Sequence, residues 1–79
     1  MEGLIEGRIV HYVHEHLDGS RVHRAALVIH VEDRDKGIVQ LLVFLSPEQD
    51  RASGLFQINL HTEFDPTNKA GTWHWIERE

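Results

Sequence analysis

Hydrophobic and polar positions alternate along much of this chain, and the alternation predicts five short strands. The first apolar stretch, Leu4 to Val13, mixes apolar with polar residues. In the second, His23 to Val31, Ala25, Leu27, Ile29 and Val31 fall on one face at period two, with Ala26, Val28, His30 and Glu32 on the other. That is the pattern of a half-buried strand. The third, Ile38 to Leu45, is apolar on both faces except at Gln40, as expected of a central or covered strand. In the fourth, Leu55 to His61, the alternation predicts Phe56, Ile58 and Leu60 inward and Gln57, Asn59 and His61 outward. The fifth runs from Thr72 to Glu77, with Trp73 and Trp75 on one face and His74 and Ile76 on the other.

Turn signals separate these stretches. They are Asp18-Gly19-Ser20, then Asp33 to Gly37 with Gly37 free to take positive φ, and Asp65-Pro66-Thr67-Asn68. Ser46 to Asp50 breaks the third strand and has the composition of a single helical turn. No window shows sustained helical periodicity. The expectation is an all-β single domain over residues 1–79: a small five-stranded antiparallel barrel, SH3-like, with an OB-like barrel as the alternative.

Composition narrows the chemistry. The 79 residues include no cysteine, so disulfides, thiolate metal sites and cysteine nucleophiles are excluded. Thirteen acids against eight bases give a formal charge of −5, which argues against nucleic acid as a partner. No apolar run approaches the roughly 20 residues of a membrane span, and Met1 is followed by Glu2 and Glu6 rather than by a basic, then apolar, leader. The serines are Ser20, Ser46 and Ser53, none in a nucleophile-elbow context, and the six glycines form no phosphate loop. The reading is therefore a non-enzymatic protein without a cofactor.

A barrel of this size fills its interior with one face of each strand. The middle strands also offer apolar residues on the second face, so Val28, Ile38, Leu42 and Phe44 are candidate interface residues of a homo-oligomer.

Seven histidines stand out in so short a chain, and protonating all of them would move the formal charge from −5 to +2. His14 and His16 flank Glu15, and in an extended chain both imidazoles point the same way. They are weak candidates for a metal site, which would need further ligands such as His23, Glu15 or Asp18. Arg8, Arg21, Arg24 and Arg34 are candidates for anion binding, and the tryptophans for a stacking platform, with surface pairing and core packing as the ordinary roles.

The segments Gly7-Arg8-Ile9-Val10-His11-Tyr12 and Gly71-Thr72-Trp73-His74-Trp75 resemble the two ends of a group of small phage and prophage proteins of actinobacterial type, which open with GRIVHY and close with GTWHW followed by proline. Here Ile76 stands in place of that proline, and Ala70 in place of the proline that precedes glycine. The resemblance implies a viral origin and the host cytoplasm, or else the virion, as location. It carries over no activity. If the terminal strands pair and close the barrel, His11, Tyr12, Trp73, His74 and Trp75 become neighbours beside Arg8, as a barrel seam or a ligand site. Arg8, His11, Tyr12, Arg24, Trp73, His74 and Trp75 are accordingly the candidate ligand-binding residues. Three functions compete: a sponge for a small anionic, nucleotide-like ligand of host defence, a virion decoration or tail protein, and an inhibitor docking on a host protein.

Overall fold

The computed structural model describes residues 1–76. Five strands form one antiparallel sheet in the order β4-β3-β2-β1-β5. They are β1 (Ile9–Glu15), β2 (Arg21–Asp33), β3 (Ile38–Phe44), β4 (Phe56–Thr62) and β5 (Trp73–His74), with the helical turn α1 (Pro47–Asp50) between β3 and β4. The first four strands form a meander, and β5 returns to pair with β1. Strand positions follow the apolar stretches closely. The first begins later than its pattern, because Leu4 leaves the sheet and packs fully buried in the core. The Glu77 end of the fifth stretch lies outside the described residues.

The sheet curls strongly but does not close as a continuous barrel. Its two ends meet at an isolated parallel bridge between Phe64 and Trp73. There the Trp73 N–H donates to the Glu63 carbonyl at 3.0 Å and the Asp65 N–H donates to the Trp73 carbonyl at 3.0 Å. Inside the curl lie Leu4, Val10, Tyr12, Ala26, Val28, Val39, Leu41, Val43 and Trp73. The turns form as their residues require. Gly37 takes φ 71°, and the Asp33 carboxylate caps the turn before it by accepting from the N–H groups of Asp35 and Lys36.

One expectation about which face points inward is corrected. In β4, Phe56, Ile58 and Leu60 are 58%, 51% and 56% exposed, while the alternate residues Gln57 and Asn59 turn toward the core. Period-two alternation defines two faces without saying which is buried. Here the polar pair is satisfied inside: Gln57 donates to Asn59 at 2.8 Å, and Asn59 donates to the Tyr12 hydroxyl at 3.0 Å. In β2, Ala26 and Val28 are the core residues, and Ala25, Leu27 and Ile29 face away. A bulge between Val28 and His30 shifts the register, so Val31 returns to pack against the core. A further irregularity, opposite Val39–Leu41, accommodates His61 at φ 50° and brings Thr62 to the buried side.

Among the candidate interface residues, Val28 is therefore core rather than surface, because β2 presents its even positions inward. Ile38 and Leu42 are half-buried, and Phe44 is exposed.

Candidate functional site

The β1–β5 pairing places the two terminal motifs side by side, with His11 opposite His74 and Tyr12 opposite Trp73. Strand alternation then divides the candidate ligand residues between the two faces of the sheet. Tyr12 and Trp73 point into the core, and His11 and His74 point away from it. Trp73 is fully buried, its indole N–H donates to the Gly37 carbonyl at 2.7 Å, and its ring meets Phe64 and Trp75 edge-on at 5.0 and 5.1 Å. Burial raises the Tyr12 phenol above its ordinary pKa, and the hydrogen bond from Asn59 offsets part of that. Tyr12 and Trp73 thus build the seam where β5 joins the curl.

The candidate anion-binding arginines all have intramolecular partners. The Arg8 guanidinium lies over the Trp75 ring, 5.6 Å from its centroid. Arg21 donates to the Asn68 carbonyl and Arg34 to the Leu4 carbonyl. Arg24 forms a two-pronged pair with Asp50, Nε to Oδ2 at 2.9 Å and Nη2 to Oδ1 at 2.7 Å, and also donates to Gln49. The fork that the sequence offered for a ligand is spent on the fold.

Asp50, which the sequence pattern did not single out, is the centre of a polar knot. Its side chain is fully buried. Besides Arg24 it accepts the Ser46 N–H at 2.9 Å and meets His16 Nε2 at 2.7 Å. These bonds, led by Arg24, hold its carboxyl well below the usual carboxylate range. Asp50 ends the helical turn, whose first residue is Pro47 and whose N-cap Ser46 accepts from the Gln49 N–H. The knot thus clamps the β3–β4 connection onto β2 and onto the β1–β2 loop. Beside it opens a pocket of about 260 Å³ lined by His16, Leu17, Asp18, Gln49, Asp50 and Arg51.

Histidines form two groups with donor atoms close enough to share a metal ion. The first is His14, His16 and Asp50. It contains the His14–His16 pair, at 5.5 Å between rings, but its third member is Asp50 rather than His23, Glu15 or Asp18. Asp18 instead accepts from the Ser20 N–H and hydroxyl. Both nitrogens of His16 are engaged, one by Asp50 and one by Ser20 at 3.2 Å. The second group is His11, His23 and His74, from three adjacent strands.

Comparison of the chain with protein-family models, with curated protein sequences and with solved structures finds no match.

The outer face of the sheet carries a row of exposed apolar side chains. Ile9, Ile29, Phe44, Phe56, Ile58 and Leu60 are all exposed on it. No helix among the described residues is long and apolar enough to cross a membrane.

Proposed function

We propose that this chain is a non-enzymatic binding protein that works as a homo-oligomer, with β4 and the apolar outer face as the contact and a second copy of the chain as the occupant. The observation that carries this reading is the edge strand β4. Natural edges are blunted by charge, proline or brevity. The other edge, β5, is only two residues long. By contrast β4 is seven residues, Phe-Gln-Ile-Asn-Leu-His-Thr, with no lysine, proline or acid. Its outward side chains Phe56, Ile58 and Leu60 continue through Phe44 and Leu42 toward Leu27 on the same face. Antiparallel pairing of β4 with its own copy is self-complementary by symmetry, and it sets Phe56, Ile58 and Leu60 of the two copies side by side across a single two-fold axis. A small domain with this much exposed apolar surface gains stability from such an assembly. The internal engagement of Arg8, Arg21, Arg24 and Arg34 favours this face over an arginine-lined anion pocket as the binding surface.

Sedimentation velocity on the wild type and on Ile58→Lys tests it. The wild type is expected to sediment as a dimer or larger assembly, and the variant as a monomer with unchanged far-ultraviolet circular dichroism. A wild type that stays monomeric at high concentration, or a variant that assembles like the wild type, would overturn the reading.

A further inference from the structure

The second histidine group is assembled by the sheet itself. His11 sits on β1 directly opposite His74 on β5. His23 on β2 lies opposite Val13, two residues along β1 from His11 and on the same face. The three rings converge over this face, at 5.5 Å between His11 and His23, 5.6 Å between His11 and His74, and 4.7 Å between His23 and His74. One ring nitrogen from each lies within 4.8 Å of the other two. Two nitrogens on one tetrahedral zinc ion stand about 3.4 Å apart, given zinc–nitrogen bonds of about 2.0–2.1 Å. Bringing the trio onto one ion asks for at most about 1.4 Å of closing between any two nitrogens.

We propose that His11, His23 and His74 form a binding site for a divalent transition-metal ion, with zinc as the best fit. Three imidazoles with no carboxylate among them favour zinc, cobalt, nickel or copper over magnesium or calcium, which prefer oxygen. His74 is 3% exposed, His11 is half-buried and His23 is exposed. The site is thus anchored at one end and open to solvent at the other. A tetrahedral ion held by three histidines keeps a fourth position for water or another ligand, and here that position faces the His23 side. The strand partners fix the spacing, since each histidine is carried on a hydrogen-bonded strand rather than on a loop. The trio lies on the same outer face as the exposed apolar residues, but at the β1–β5 end of the sheet, with β2 and β3 between β1 and β4.

The test uses full-length, tag-free protein stripped with a chelator and titrated by calorimetry with Zn²⁺, with Mg²⁺ as the comparison ion. One zinc per chain and a raised melting temperature are expected, with no response to Mg²⁺. His23→Ala, at an exposed position that leaves the fold intact by circular dichroism, is expected to weaken zinc binding more than about tenfold, a loss like that from disturbing a metal's supporting shell or larger. His14→Ala is expected to bind as the wild type does. Co²⁺ loading should give the visible absorption of a tetrahedral nitrogen-ligated ion, lost in His23→Ala. The proposal is overturned by absence of zinc binding, by equal binding of Mg²⁺, by full affinity in His23→Ala, or by loss in His14→Ala, which would move the ion to the other cluster. Repeating the titration on Ile58→Lys separates this result from the state of assembly.

Discussion

His11 and His14 are three residues apart on one strand, on opposite faces of the sheet, and each belongs to a histidine cluster. The clusters have the same size and similar spacing but different surroundings. Around His14, the third donor is Asp50, a carboxylate already bonded by Arg24, Ser46 and His16. A metal ion there would have to displace a part-buried guanidinium and give up the clamp on the β3–β4 connection. Around His11, all three donors are imidazoles from paired strands, and one of them is open to solvent. Proximity of ligand atoms is therefore a poor guide by itself. What distinguishes the two is the donor set: one includes a carboxylate committed to Arg24 and Ser46, and the other consists of imidazoles alone.

That distinction predicts a graded set of effects. The largest belongs to Asp50→Ala. Removing one partner of a buried ion pair strands the other, and a loss of about 3 kcal/mol is expected in denaturant unfolding. That is a large share of the roughly 4–12 kcal/mol available to a domain of this length. Acid comes next and acts through the same carboxylate. Because the folded-state pKa of Asp50 is depressed, its contribution is complete above the ordinary aspartate pKa of about 3.9 and is lost progressively as pH falls below it toward the folded value. Acid unfolding of the wild type should therefore show a component below that pH that is absent from Asp50→Asn.

His16→Ala is expected to cost about 1 kcal/mol, for one hydrogen bond to a buried carboxylate. The smallest effect falls in the other cluster, where His23→Ala should change stability by less than about 0.5 kcal/mol in the absence of metal. Equal losses for His16→Ala and His23→Ala in chelator would erase the contrast between a structural cluster and a ligating one.

Much of the fold was legible in the chain. The positions of β2, β3 and β4, the Gly37 turn and the helical turn at Ser46–Asp50 follow from alternation and turn chemistry. The pairing of the two terminal motifs was legible too. The facing of β4 was not. Phe56, Ile58 and Leu60 are the more apolar set, and only the bond from Asn59 to the Tyr12 hydroxyl, between residues 47 apart in sequence, explains why the polar set turns inward. The Val28–His30 bulge was likewise invisible, since an alternating pattern carries no mark of one extra residue. In the candidate site, His11 and His74 were legible as neighbours. Recruiting His23 requires the β1–β2 register, and without it the local His14–His16 spacing is the more conspicuous pair. Asp50 gave no signal beyond its place at the end of a turn, because Arg24 lies 26 residues away.

The two-residue strand β5 has a consequence for the order in which the chain acquires its structure. The hairpins joining β1 to β2 and β2 to β3 close across short loops, whereas pairing Tyr12 with Trp73 closes a span of roughly sixty residues, at an entropic cost that grows with loop length. The meander is thus expected to assemble from local contacts, with β5 docking after it. Both tryptophans of the chain ride on that late segment, so their fluorescence reports the closing event rather than the formation of the sheet. In a stopped-flow experiment, circular dichroism should lead and tryptophan emission should follow.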